Sequence, residues 1–591
     1  MIETVVMPKL GFNMDEGKLV KWYKSEGDTI TKGEPLFAIE TDKTSIDVEA
    51  TQDGIVKKMF IGEGDTSPVT LPIAIIADEG ENIDSAVLDA LSQLGVDDSF
   101  KVNEQSPEKT ASTSTQGADR TQSASNLGQS QIGNVDYDFD VFVIGGGPGG
   151  YVAAIKAAQN GKKVAIAEMD AMGGTCLNRG CIPTKALLKS VETLNEVKEA
   201  YKFGVTGLDT SKTTLDFEKV QERKSEVVGQ LVGGVGMLLQ KNGVTILNGK
   251  ATLEDKNTIS INDDKYTSKN IIIATGSSIK SLPIEIDKKM NVITSDEALN
   301  MNECPKDIVI IGGGVIGIEI AFFLSGAGSK VTVVEFLPNI LPMVDEEISD
   351  MVQSDLEASG IKIYTGAAVN KIKANGVVFE KDGKEEEIKT STVLMAVGRG
   401  PRLDGIDCEK LGIMTMKGAI STDEYMRTTV PNIYAIGDVN GKVMLAHTAS
   451  AEGLVAVDNI CGHTKKMKYD NIPSAIYIQP QIASTGLTEK AAKKKYGNIK
   501  VGKFPMVGNG KSKVMGDERG VIKIITEAKY GEIVGVHSYC FNASDMITEG
   551  VMAIDLEATA EEMINVIHPH PTVSEAYHEA FHAVHDKAIH I

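Results

Sequence analysis

The chain has 591 residues, 42% hydrophobic and 24% charged, the composition of a soluble globular protein too long for a single core. A net charge of −22 argues against a nucleic-acid or anionic-membrane surface. No apolar run approaches the roughly 20 residues of a membrane span. Six scattered cysteines fit a reducing cytoplasm, and the opening MIETVVMPKL shows no signal peptide.

Residues 1–78 contain an internal repeat. GKLVKWYKSEGD (17–28) and GIVKKMFIGEGD (54–65) share the frame G-x-x-x-K-x-x-x-x-E-G-D at an offset of 37. Such a repeat predicts two similar half-sheets folded against each other. Between them, FAIETDKTSIDVEA (37–50) reads as a hairpin with Asp42-Lys43-Thr44 at its tip. A lysine there is by default a solvated charge. With the flanking repeat, the segment resembles the lipoyl domains of 2-oxo-acid and acetoin dehydrogenase complexes, a small all-β flattened barrel or sandwich. The resemblance implies covalent lipoate on Lys43. Biotin carriers share the fold but usually flank the lysine with Met, so Asp42 and Thr44 favour lipoate.

Residues 79–136 read as a flexible linker. A short helix is expected at ENIDSAVLDALSQLG, but from 105 to 131 fifteen of 27 residues are Ser, Thr or Gln. Such a stretch cannot bury enough surface to balance its ordering entropy. As free coil, 101–135 would reach about 33 Å, from roughly 5.5 Å per square root of residue number.

From 137 the pattern alternates apolar strands with helices, the mark of α/β layers. YDFDVFVIGGGPGGYVAAIKAAQNGKKVAIAE (137–168) carries Gly145-x-Gly147-x-x-Gly150 between a strand and a helix, then a second strand ending at Glu168. The unit returns at 307–335 with Gly312-x-Gly314-x-x-Gly317 and Glu335, and in both copies the acid follows the last glycine by 18 residues. The glycines permit a tight turn and close approach of backbone to a pyrophosphate at a helix N-terminus, and the acid accepts from a ribose. Two such units predict two dinucleotides, and Glu335 favours NAD over NADP because it would repel a 2′-phosphate.

In GGTCLNRGCIPTK (173–185), Cys176 and Cys181 stand five positions apart. A structural metal needs about four ligands, and no second Cys/His cluster supplies them. Cys304, Cys408, Cys461 and Cys540 are isolated, as packing residues would be. The stretch resembles the redox motif of the pyridine-nucleotide disulfide oxidoreductases at every defined position. IIIATGS (271–277) and NIYAIGDVNGKVMLAH (432–447) look like that family's remaining flavin motifs. The resemblance implies that Cys176 exchanges with a substrate disulfide while Cys181 lies against the flavin as a thiolate. It also implies that Lys185 pairs with Glu319 beside the flavin. In H-P-T-x-S-E, His570 would be the acid/base and Glu575 its orienting partner. His568, His578, His582 and His585 fit, in part, a polar helix face.

The resemblance assigns FAD to the first glycine turn, with Gly149, Gly174, Thr175, Ala251, Thr275 and Gly276 around it. Asp438 would hold the ribitol chain. A helix starting near Met444-Leu445-Ala446-His447 would point its positive end at the flavin pyrimidine, with only backbone contact from His447. NAD would meet Gly312, Gly314, Val315, Ile316, Gly317, Glu335, Val369 and Gly398.

The implied architecture is an all-β lipoyl domain followed by two Rossmann-like domains and an α+β dimerisation domain. The expected boundaries are 137–280 and 399–468 for FAD, 281–398 for NAD and 469–591 for dimerisation. Within the family the chain is similar to the dihydrolipoyl dehydrogenases. That implies a homodimer oxidising the dihydrolipoyl group of an acyltransferase, or of a glycine-cleavage carrier, with NAD. Glutathione, mycothiol and mercuric reductases are the alternatives, and Glu335 argues against those using NADPH. An alternative of another kind is a carrier or docking module built around the N-terminal domain.

Overall fold

The two copies of the glycine-framed repeat exchange hydrogen bonds reciprocally. In this computed structural model, which describes residues 2–8, 16–40, 45–69, 71–81, 83, 87 and 136–591, the chain divides into two units, Met1–Ser130 and Gln131–Ile591. In the first unit Gly27 N donates to Val56 O at 2.8 Å, and its counterpart Gly64 N donates to Leu19 O at 2.7 Å. Trp22 N likewise donates to Glu63 at 2.8 Å, and Met59 N to Glu26 at 2.7 Å. Each Glu-Gly-Asp corner thus caps the strand of the other half. The outcome is two separate four-stranded antiparallel sheets, a sandwich with no closed barrel. Leu19, Phe37, Val56 and Ile76 fill its core, the inward positions of alternating strands. Strands Pro35–Glu40 and Ser45–Glu49 pair antiparallel with Glu40 opposite Ser45, so the hairpin is present. Lys43 and most of the linker, including most of the helix expected there, lie outside the described residues.

The second unit opens on strand Phe139–Ile144, whose neighbours Val164–Glu168 and Asp264–Ile273 run parallel to it. The next strand outward, Ile433–Ala435, comes from far along the chain. A second parallel sheet, Asp307–Ile311 flanked by Lys330–Val334 and Thr392–Met395, occupies the intervening sequence. These strands are nearly continuous in buried Ile and Val, as central parallel strands covered on both faces must be. The second strand–turn–helix sheet is therefore inserted into the first. Residues Ser474–Cys540 then form a five-stranded antiparallel sheet, against which helix Glu575–Ala583 packs Tyr577 and Phe581, both wholly buried. Among the described residues no helix is long and apolar enough to cross a membrane.

Candidate active site

Both glycine turns close against their own backbone. Gly145 has φ +110°, and a Cβ there would meet Ala274 O at 2.2 Å; a Cβ on Gly150 would meet Gly145 O at 1.9 Å. The second turn repeats this, with Gly312 at φ +111° and Gly317 placing a Cβ 2.0 Å from Gly312 O. Nothing lies within 4 Å of a Cβ at Gly147 or Gly314, so the outer side of each turn is open. Glu168 accepts from Gly146 N at 2.7 Å, and Glu335 from Gly313 N at 2.5 Å, which fixes each acid beside its turn.

Helices Pro148–Gln159, Val315–Gly326 and Ala446–Ile460 all begin without a side-chain cap, whereas Phe217–Lys241 is capped by Asp216. The first N–H groups of those three helices are left for a ligand, at the end where the helix dipole favours negative charge. The residues fit two dinucleotides. Val315, 40% exposed, opens the second of these helices, and Gly398, at φ +102°, immediately precedes strand Arg399–Pro401. Ile316 packs half-buried on the core, and Val369 is half-buried in strand Ala367–Lys373. Ala251 is buried in strand Ala251–Leu253. Thr275 donates to Arg402 O at 2.6 Å, and Gly276 takes φ +74° beside it. His447 Nε2 lies 2.8 Å from Pro473 O, and Met444 and Leu445 lead into helix Ala446–Ile460.

The cysteine pair spans a break between two helices. Gly174–Arg179 carries Cys176, Gly180 breaks the helix, and Cys181 opens Cys181–Glu199. Gly174 is required where it stands: φ is +53°, and a Cβ would meet Gly147 Cα at 2.8 Å, so the redox helix starts on the first glycine turn. Both cysteines are free thiols. The hydrogen bond from Cys176 holds the Cys181 thiol down to about 7 against burial, with the Lys185 ammonium adding to the effect. The same hydrogen bond, with burial, pushes Cys176 up. One sulfur is poised as thiolate and the other as thiol.

Lys185 lies one turn into the same helix and donates to both oxygens of Glu319 at 2.9 Å. Glu319 is buried and also accepts from Tyr477 N at 3.0 Å, while Lys185 stands 4.6 Å over the Tyr477 ring. His570 Nδ1 lies 2.9 Å from Glu575 Oε1, and the other carboxylate oxygen accepts from Thr572 N at 2.7 Å. Against burial, these two hydrogen bonds hold Glu575 below the ordinary carboxylate range. The His570 side chain is 80% exposed on its own chain, so its free nitrogen is open to a partner or substrate.

The model for "Pyridine nucleotide-disulphide oxidoreductase" matches residues 139–453, and that for its dimerisation domain matches 472–581. A "Biotin-requiring enzyme" model, covering biotin and lipoyl carriers, matches 3–76. A dihydrolipoyl dehydrogenase of Bacillus subtilis is 43% identical over 77% of this chain and 99% of its own. One from Mycobacterium leprae is 42% identical over 76% of this chain and 98% of its own. The solved HOCl-induced flavoprotein disulfide reductase of Escherichia coli superposes with a TM-score of 0.67 at 28% identity, over 75% of this chain and 99% of that one.

The chain belongs to the dihydrolipoyl dehydrogenases. This is a family of FAD- and NAD-dependent disulfide oxidoreductases, and the N-terminal domain marks this member as carrying a lipoyl-bearing lysine as well.

In this dehydrogenase several site residues come from signals that sequence reading passed over. Ser277 donates to Asp438 Oδ2 at 2.5 Å, and Arg399 Nε donates to Ser277 Oγ at 2.8 Å. Arg399 also reaches Thr175 at 3.4 Å, so one guanidinium ties the redox helix to the Asp438 turn. Glu452, wholly buried, accepts from Gly437 N at 2.6 Å, Asn440 at 2.9 Å and Tyr469 at 2.7 Å. It pins the turn on which Asp438 sits. Of the histidines expected in part to form a polar helix face, His578 and His582 lie ring to ring on helix Glu575–Ala583, with His578 on Ile564 O, His568 on Glu549 and His585 facing Glu561.

Proposed function

We propose that the chain catalyses dihydrolipoyl-group oxidation through a Cys176–Cys181 disulfide. The observation that carries the reading is the unequal pair of thiols at the foot of the first glycine turn, with the Lys185–Glu319 bridge beside Cys181. A dihydrolipoyl thiol gives its proton to His570 and attacks Cys176, breaking the disulfide and releasing Cys181 as thiolate. The second dihydrolipoyl thiol then displaces Cys176, leaving a lipoyl disulfide and two enzyme cysteines. Glu575 keeps His570 in the tautomer whose free nitrogen accepts, and balances its charge once it has accepted. Lys185 stabilises the Cys181 thiolate and is itself held by Glu319 and the Tyr477 ring. Bound FAD and NAD supply the acceptor chain that returns the dithiol to the disulfide, as dihydrolipoyl protein + NAD⁺ → lipoyl protein + NADH + H⁺.

The site roles follow the same reading. FAD is held by 137–280 and 399–468 through Glu168 and Asp438, and NAD by 281–398 through Glu335. Residues 469–591 pair two chains, and the exposure of His570 suits a site completed across a dimer. Partners follow from the N-terminal domain: a multienzyme complex whose acyltransferase, or glycine-cleavage carrier, bears the dihydrolipoyl group. The tethered Lys43 arm can carry reducing equivalents within it, and the reducing cytoplasm suits a free thiol pair.

The test is NADH formation from free dihydrolipoamide by the full-length chain, with NADP⁺ as control. Turnover selective for NAD⁺ and unchanged in Lys43→Arg is expected. Equal use of NADP⁺, or no turnover by a protein holding FAD, would contradict the reading.

A further inference from the structure

The His570–Glu575 pair has a buried neighbour to which the reaction gives no task. Two residues before His570, the His568 side chain is only 7% exposed. Its Nε2 lies 2.9 Å from Glu549 Oε1 and its Nδ1 lies 3.2 Å from Val566 O. A carbonyl and a carboxylate only accept, so each contact requires a proton on its ring nitrogen. A ring protonated at both nitrogens is an imidazolium. The hydrogen bond to Glu549 raises the His568 pKa above its ordinary value, with further support from Val566 O and from the field of Glu575.

The other titratable groups facing His568 sit on helix Glu575–Ala583. They are Glu575 itself and His578, whose ring centre is 5.8 Å away, with His582 a further 4.7 Å beyond His578. His578 is bound through Nε2 to Ile564 O at 3.0 Å. Glu575 therefore faces two histidines, one hydrogen-bonded to it and the other a charge nearby.

We propose that His568 is a positioning residue for the His570–Glu575 pair: as an imidazolium bound to Glu549 it pins the loop bearing His570 to helix Thr548–Asp555 and holds a charge beside Glu575 that tunes the carboxylate partner of His570. The inference rests on His570 being the base. A fixed cation beside Glu575 draws on the same carboxylate that orients His570 and balances its charge, so the two histidines share one anion.

The test is the pH profile of kcat/KM for dihydrolipoamide oxidation by the FAD-loaded full chain, comparing wild type, His568→Gln and His568→Arg. The acid limb of the profile reports loss of the proton acceptor, because a protonated ring cannot accept. Without the cation beside Glu575, the acid limb of His568→Gln is expected about one unit higher, a shift of the size common among protein histidines. His568→Arg, which keeps the charge, is expected to track wild type. An acid limb that stays or moves down in an active His568→Gln protein overturns the proposal and leaves His570 as the base. Loss of the acid limb's dependence on His570 itself, seen as residual activity of His570→Gln with an unchanged profile, would instead overturn the reading beneath it. Should His568→Gln fail to fold, ring-nitrogen NMR of histidine-labelled wild type decides. Two protonated nitrogens on His568 at neutral pH are expected, and a neutral tautomer overturns the inference.

Discussion

Cys181 and Cys176 are chemically the same side chain, and their surroundings make them different. Cys181 receives the hydrogen bond and the Lys185 field; Cys176 gives the hydrogen bond away. A Cys176→Ser variant keeps a donor there, so the remaining Cys181 thiol should alkylate with a midpoint near the value of about 7 at which the pair holds it. The sign follows from the lowered pKa: thiolate is present above that midpoint and disappears as pH falls through it. Lys185→Met in the same background should move the midpoint up towards the ordinary thiol value. A midpoint unmoved by Lys185→Met would show that the ammonium does not act on the sulfur. At His570, replacement by Gln removes the proposed proton acceptor while leaving thiol exchange possible, and kcat/KM for dihydrolipoamide should fall about 100-fold or more. A loss below about tenfold would remove His570 from the reaction.

Among the elements, the two strand–turn–helix units carry equivalent glycines with separable tasks. Gly150→Ala forces a methyl group to within 1.9 Å of Gly145 O, and Gly317→Ala does the same at 2.0 Å from Gly312 O. Neither backbone can yield without opening its turn. Gly317→Ala should keep FAD and still let dihydrolipoamide reduce the cysteine pair, but fail to pass electrons to NAD⁺. Gly150→Ala should be purified without flavin. Flavin content and anaerobic reduction of each variant check this, and an FAD-free Gly317→Ala protein would contradict the assignment of the two turns. These turns were legible because their requirement is local, written in glycines at fixed spacing and an acid 18 residues on. The Lys185–Glu319 and His570–Glu575 partners were legible by family motif. Arg399, Ser277 and Glu452 were not: Ser277 and Asp438 are 161 positions apart, and no period along the chain links them. The buried state of His568 was equally hidden, since a His-rich helix start reads as polar surface until the fold brings Glu549 to it.

For the molecule as a whole, the catalytic unit must keep its second nucleotide module registered against the C-terminal sheet. Lys523, 1% exposed in that sheet, donates to Asp345 at 2.7 Å and Glu347 at 2.9 Å beside helix Glu346–Ala358, and lies 2.8 Å from Glu489. Against burial, Lys523 holds Asp345 below its ordinary range, and Lys503 together with Lys523 does the same for Glu347. Lys523→Met leaves the nearly buried Asp345 carboxylate without its cation and should destabilise the protein by about 3–5 kcal/mol. Carboxylates with lowered pKa contribute stability above their unfolded pKa and lose it as pH falls through the folded one. The melting-temperature gap between wild type and Lys523→Met should therefore be widest near neutrality and narrow on acidification. A gap that widens in acid would contradict the clamp.

In the proposed reaction, one disulfide relays two electrons from a dihydrolipoyl group to the bound cofactors. The most direct measurement mixes oxidised, FAD-loaded protein anaerobically with dihydrolipoamide, without NAD⁺, then alkylates and maps the cysteines. Lipoamide should form with Cys176 and Cys181 both newly alkylated, and added NAD⁺ should return both to the protected disulfide with release of NADH. Lipoamide formed while Cys176 and Cys181 stay unreactive, or thiols that NAD⁺ cannot reoxidise, would contradict it.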